Sequence, residues 1–325
     1  IEVLPHGLPG FVGRCSQGPM ASPVRVRNWP DFIDRFGAGT GSPMNRALYA
    51  YFLNTDQPAW VTRCSATDAM TQGERLLAYQ QALQALAATD VSALQLPDLD
   101  WSGDDVTILQ WAGSDCERLD NRVLLVDPPP SRKLSSAARV NGLQLPTSSV
   151  VACYYPWARM QNPDFVAGAV PRLPRTILVS PSALASAVWA NNDRDRGVWK
   201  APAGLDTALT GVRRLRFAVD SATQQVLNPL GINCLRQLPG KGTLVWGART
   251  LAGQTAADYR YIPVKRTTQY VYHCIERSTR GALFQPNDSA LWQSLRTLID
   301  EVRTHRNIHV YTDAEVSQVE GFVGN

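Results

Sequence analysis

"RVLLVDPPP", residues 122–130, sets four apolar residues in a row and stops them with Asp127 and three prolines. An unbroken apolar run of this length has no polar face to offer solvent. It fits a strand covered on both sides, as strands of parallel sheets are. The design recurs in "VSALQLPDL" (91–99), which runs into a Pro turn, and in "SSVVACYYPW" (148–157). Helical patterns lie between. "RLLAYQQALQALAA" (75–88) places Leu76, Leu77, Tyr79, Leu83 and Leu86 near one face. "DDVTILQWAGSDCERL" (104–119) opens on acidic residues that suit a helix N-terminus. Strands alternating with helices predict βαβ units, so residues 60–157 read as an α/β layer with a parallel sheet.

Downstream, "MQNPDFVAGAVPRLPR" (160–175) holds three prolines and reads as a loop. "SPSALASAVWANNDRDRG" (180–197) has the order of a capped helix: Ser, then Pro, with Gly at the end. Composition shifts near residue 209. "TGVRRLRFAVDSATQQVLNPLGINCLRQL" (210–238) alternates short strands with an Asp-Ser helix cap, and "GTLVWGARTL" (242–251) alternates like a strand. "IPVKRTTQYVYHCIERSTRG" (262–281) predicts a helix with Val264, Thr268, Val271 and Ile275 as its apolar stripe. "ALFQPND" (282–288) reads as strand and turn, after which Asp288 or Asn287 caps a helix over 289–306.

The 325 residues suggest about two domains. Hydrophobic residues make up 44% and charged residues 18%, enough to bury a core and too apolar for a wholly disordered chain. Net charge is only +4, with no dense Lys/Arg run of the kind that tracks nucleic acid. The lysines are Lys133, Lys200, Lys241 and Lys265, so arginine carries nearly all the positive charge. Its planar fork suits paired-carboxylate contacts at interfaces, and a solvated arginine surface is the plainer reading. Six cysteines (Cys15, Cys64, Cys116, Cys153, Cys234, Cys274) lie far apart without CxxC spacing and read as buried free thiols of a reducing compartment. No signal peptide or membrane-length apolar run is present in the sequence, which argues against membrane insertion.

Motifs of chemistry fail one by one. "LPGKG" (238–242) has Leu235 where a phosphate-binding loop needs its first Gly, and Gly242 where it needs Ser or Thr; a turn between two strands explains it. His305 and His309 have metal-ligand spacing, but no Glu completes the pattern. His273 and Cys274 are neighbours in sequence and point apart on a helix. No GxSxG elbow occurs. The carboxylates of "PDLDWSGDD" (97–105) lack calcium-loop positions and read as a polar loop above strand ends. No cofactor site and no enzyme constellation emerge.

Several blocks, in order, carry a resemblance: "SQGPMASPVRVRNWPDFIDRFG" (16–37), "LQLPDL", "DNRVLLVDPP", "YYPWARM", "DRGVWKAPAG" (195–204), "LNPLGINCLRQLPGKGTLVWGARTL" (227–251) and "YRYIPVKRTTQYVYHCIERSTRGALFQPNDSALWQSLRTLI" (259–299). Together they resemble the contractile tail sheath proteins of bacteriophages and phage-tail-like injection particles, over roughly residues 7–303. The resemblance implies an α/β chain: an N-terminal segment with a central subtilisin-like α/β domain and parallel sheet (1–208), then an α+β C-terminal sheath domain (209–325). It also implies a non-enzymatic job. Subunits stack as hexameric rings in a helical tube around an inner tube, with baseplate and tail-terminator proteins as further partners and no direct nucleic acid. Contraction by rigid-body rearrangement then drives the tube through a target envelope. The implied setting is a virion or tail-like particle assembled in the bacterial cytoplasm.

Within that family the inner tube is met near the C-terminal domain. The resemblance therefore points to helix 289–306, with Arg296, Asp300, Glu301 and Arg303 as contact residues. "RNWPDFIDRFG" and "NNDRDRG" offer mixed charges for contacts between subunits. The short lead-in "IEVLPHGLPGFVGRC" and the end "NIHVYTDAEVSQVEGFVGN" leave less room for linking arms than the family has. Two rival readings stand beside this one: a hydrolase keeping a subtilisin-like site, and a binding module of a secreted complex.

Overall fold

The computed structural model describes residues 7–170, 172–253, 257–280, 288–294 and 296–297. In chain order the elements are β1 (Leu8–Gly13), β2 (Pro23–Val26), α1 (Trp29–Phe36), α2 (Pro43–Asn54), β3 (Ala59–Arg63), α3 (Gln72–Leu86), β4 (Val91–Gln95), α4 (Asp105–Leu119), β5 (Val123–Val126), α5 (Ala137–Asn141), β6 (Val151–Tyr155), β7 (Ala158–Gln161), β8 (Thr176–Val179), α6 (Pro181–Asp195), β9 (Ala208–Leu209), β10 (Val212–Leu215), α7 (Ser221–Leu227), β11 (Ile232–Leu238), β12 (Gly242–Trp246) and α8 (Ile262–Thr279). Two compact units divide within α8: one is His6–Gln269, and the other carries the chain from Tyr270.

A nine-stranded sheet, ordered β2-β3-β1-β4-β5-β6-β11-β12-β9, organises the first unit. Every pairing from β3 across to β11 is parallel, and the strands outside that run are antiparallel. The side-chain period of 2 explains the layers. Leu124 and Cys153 face a core with Tyr79, Leu83, Ile108 and Leu109 of α3 and α4. Leu125 and Tyr154 face the opposite core, with Phe32, Leu48, Tyr51 and Trp189 of α1, α2 and α6. Each buried Leu or Val adds about 1.5–3 kcal/mol through removal from water. The composition shift near 209 is no break in this sheet, because β11 pairs directly with β6.

Local rules set the ends. Thr71 and Glu74 form a reciprocal capping box on α3. The Asp220 side chain accepts from the Thr223 N–H at 2.8 Å to start α7. Asp288 Oδ1 accepts from the Leu291 N–H at 2.9 Å, as the sequence suggested. The "PGKG" loop is the turn of the β11–β12 hairpin, with Leu238 opposite Gly242 and Gly240 at φ 70°. The expected cap Ser180 makes no side-chain capping bond, although α6 starts with its Pro as foreseen. Leu77, expected on the buried face of α3, is 53% exposed; Ala78 and Ala82 are buried in the same helix.

α8 departs most from expectation. Val264 and Thr268 of the expected stripe are exposed, while Lys265, Arg266 and Gln269 are buried. The Arg266 guanidinium pairs with Asp193 of α6 through both nitrogens, one at 2.8 Å, with the two side chains only 2% and 4% exposed. It also stacks over the Trp189 ring at 4.4 Å, and Trp189 Nε1 donates to the Tyr154 hydroxyl at 2.9 Å. Lys265 Nζ lies 2.8 Å from Asp120, and Gln269 Nε2 donates to the same carboxylate at 3.1 Å and to the Arg122 carbonyl at 3.3 Å. Hydrophobic counting takes the wrong face here because this face is packed through charge. Removing one half of a buried pair strands the other, at about 3–5 kcal/mol, whereas replacing both by apolar groups is often neutral. Arg266→Ala is therefore expected to lower unfolding free energy by about that amount in urea titrations, and Arg266→Met with Asp193→Leu to recover most of it. Equal losses in the single and double variants would refute this account.

Candidate functional site

In open α/β sheets, ligand sites lie beyond the carboxyl ends of the parallel strands. Here two of those ends, past β4 and β5, carry buried carboxyls of the protein itself. Asp127, just past β5, is 5% exposed and accepts from the Ser182 N–H at 2.9 Å and the Ser182 hydroxyl at 2.5 Å. Burial pushes its carboxyl up to about 7, against the opposing pull of those two hydrogen bonds. Asp98, past β4, accepts from the Arg14 N–H at 2.5 Å and from the Tyr79 hydroxyl at 3.4 Å. Burial pushes it up to about 6, while Arg14 and Tyr79 pull it back. A Cβ on Gly13 would sit 2.6 Å from the Asp98 carboxylate, so Gly13 lets this group close over the end of β1.

This geometry does not assemble a nucleophile. The Ser182 hydroxyl donates straight to a carboxylate, with no imidazole between them. His273, on α8, has its Nδ1 3.4 Å from the Glu276 carboxylate. His6, His305 and His309 lie outside the described residues. The cysteines are free; Cys15 is half-buried and the others are buried, and burial pushes the Cys116 and Cys234 thiols up to about 12, away from thiolate chemistry. Among the described residues no group of His, Cys, Asp and Glu could hold a metal, and no helix is long and apolar enough to cross a membrane.

Arg296, the first of the tube-contact residues suggested by the resemblance, is exposed on a helical stretch. Asp300, Glu301 and Arg303 lie outside the described residues. The mixed-charge segments proposed for contacts between subunits satisfy much of their charge within the chain. Asp31 lies between Arg27 at 3.5 Å and Arg35 at 2.8 Å. Arg194 pairs with Asp195 at 2.6 Å and with Asp56. Sequence reading missed the buried cluster of Arg266, Asp193 and Trp189; the adjacent charges Lys265 and Arg266 at the start of a helix were the available signal.

A doubly covered, parallel-rich sheet with buried carboxyls past β4 and β5 defines an α/β scaffold. Its likenesses are specific. No family model matches the chain. A tail sheath protein of Vibrio phage KVP40 is 29% identical over 117 residues, 36% of this chain and 17% of that protein, so the match spans a small part of the phage protein's length. The helical sheath of the anti-feeding prophage in its contracted state overlays with a TM-score of 0.74 at 27% identity, covering 97% of this chain and 82% of the other. A chain of the baseplate of that particle gives 0.73 at 26% identity with the same coverage. The sheath complex of an extracellular contractile injection system, PVC, gives 0.72 at 24% identity over 93% of this chain and 76% of the other, a likeness of fold. The chain thus resembles contractile tail sheath proteins along nearly its whole length.

The buried carboxyls fix a pH response. A carboxyl raised in the folded state binds its proton more tightly there than when unfolded, so folding gains stability as pH falls through about 7 for Asp127 and about 6 for Asp98. That gain is complete below the ordinary value of 3.8 and is lost as pH rises. The urea midpoint is expected to be higher at pH 5 than at pH 8, with a smaller difference in Asp127→Asn. An unchanged difference in that variant would rule out Asp127 as a source.

Proposed function

We propose that this chain is the structural subunit of a contractile tail sheath. Copies stack as hexameric rings in a helical array around an inner tube and contract to drive the tube through a target envelope. The observation that carries this reading is the overlay on a contracted helical sheath over 97% of the chain. In this reading residues 1–208 form the N-terminal segment and a central subtilisin-like α/β domain. Residues 209–325 form the sheath domain, sharing the main sheet through β11. The chain works without catalysis or cofactor. Its partners are further copies of itself, the inner tube, the baseplate and the tail terminator, in a virion or tail-like particle assembled in the bacterial cytoplasm. The named relatives lend no support to a hydrolase.

Heterologous contacts that fail to close on themselves generate helical filaments. Contraction needs two packings of rigid subunits, with the surfaces between them exchanging. Electron micrographs of particles carrying this chain are expected to show striated tubes of two lengths, the longer passing to the shorter without nucleotide; compact monomers alone would defeat the proposal.

Helix 289–306 is proposed to meet the inner tube through Arg296, Asp300, Glu301 and Arg303. Replacing all four with Ala is expected to leave sheaths that form but no longer co-sediment with the tube. Undiminished co-sedimentation would remove this helix from the contact.

A further inference from the structure

The small sheet β10-β7-β8 has one face in the core and one outside. Ala158, Met160, Ile177 and Val179 point into the core. Arg159, Gln161 and Leu178 alternate with them on the outer face. Arg214 of β10 is the direct cross-strand partner of Arg159, so two arginines stand opposite each other on that face. The register then shifts between Val212 and Arg214, which inserts Arg213 as a bulge. Bulges re-aim side chains. In this one Arg213 and Arg214 are both exposed, and Arg213 reaches Gln161 on the outer face. Arg216 is exposed one residue beyond β10.

Several arginines of other elements have a carboxylate: Arg35 has Asp31, Arg75 has Asp105, Arg118 has Asp115 and Arg266 has Asp193. Among the described residues Arg159, Arg213, Arg214 and Arg216 have no carboxylate within ion-pair range. Like charges directly opposite in a sheet destabilise the folded chain. This face therefore carries a strain in the free subunit that an acidic partner relieves.

We infer that the outer face of β10-β7 docks the acidic turn "DLDWSGDD", residues 98–105, of a second copy. This rests on the sheath reading above. The turn holds four aspartates and no basic residue. Asp98 is buried and Asp105 pairs with Arg75, which leaves Asp100 and Asp104 for the partner. Asp104 is exposed, and its side chain makes no capping bond to α4. Asp100 is half-buried and is bonded only to the Ser102 hydroxyl and its own turn. Planar guanidinium groups take carboxylates two atoms at a time. The strands' outer face presents Gln161 and Leu178 beside the arginines and no aromatic ring, so it lacks the stacking platform that single-stranded nucleic acid uses. The two patches belong to different elements, so their union is heterologous and propagates from copy to copy.

The test compares particles carrying wild-type chain, Arg213→Glu/Arg214→Glu, and the charge swap that adds Asp100→Arg/Asp104→Arg to the same chain. Tubes are counted by electron microscopy across a salt series, and the thermal midpoint of each unassembled chain is measured. The arginine reversal is expected to abolish tubes while leaving the midpoint at or above wild type, since it removes a repulsion. The swap is expected to restore tubes. Wild-type tubes should fall off with salt as exposed pairs are screened. Tubes undiminished by the reversal, or a swap that stays unassembled with an unchanged midpoint, overturn this contact and leave the sheath reading intact. A wild-type chain that forms no tubes overturns both.

Discussion

A strand that is apolar on both faces needs a layer on each side, and β4, β5 and β6 impose that demand on everything around them. Leu124 and Leu125 are adjacent in sequence and belong to opposite cores. The crossover helices must therefore be shared between the faces, with α3 and α4 on one and α2 and α6 on the other. Polar groups are driven to the strand ends, where Asp98 and Asp127 are closed in by Arg14, Tyr79 and Ser182. Two of the strand ends beyond which such folds usually bind ligands are here taken up by the protein's own carboxyls.

α8 shows how a helix is attached when its buried face is charged. Desolvating Arg266 and Asp193 is expensive, and two-point pairing plus the Trp189 ring offsets that expense. Geometry is the gain. An apolar stripe tolerates sliding by part of a turn, whereas a fork on a carboxylate and an ammonium on Asp120 admit one register. Arg122 acts similarly one layer down: its guanidinium reaches the Leu86 and Ala87 carbonyls at the end of α3, and its own carbonyl receives Gln269. Charge here sets position more than net stability.

The same contrast explains what the sequence revealed. Continuous apolar runs and period-3.6 helices are local, so β4, β5, β6, α3, α4 and α6 were readable, as were the Asp220 and Asp288 caps and the Pro-Gly-Lys-Gly turn. The face of α8 was not readable, because its partners are distant: Asp193 lies 73 residues from Arg266, and Asp120 lies 149 from Gln269. The β10-β7-β8 sheet was hidden for a related reason. Its strands are four residues each, and a proline-rich loop separates two of them. The Arg159–Arg214 opposition exists only once the register is known. The resemblance gave the family blocks, but the tube-contact helix it suggested rests on Arg296 alone among the described residues.

In the sheath proposed above, some parts of the chain must stay fixed and others must exchange. The first unit is packed on both sides of its sheet and tied at α8 by the buried Arg266–Asp193 pair, so rearranging it would expose apolar area and strand charges together. Such an interior favours moving as one body. Exposed ion pairs behave in the opposite way: each is worth little, is made and lost without repacking a core, and yields to salt. A tube of many identical subunits multiplies that small term by the number of copies. A surface with unmatched arginines on a rigid sheet and aspartates on a separate turn is therefore better suited to exchange than a greasy patch, which would hold one packing too firmly to leave it.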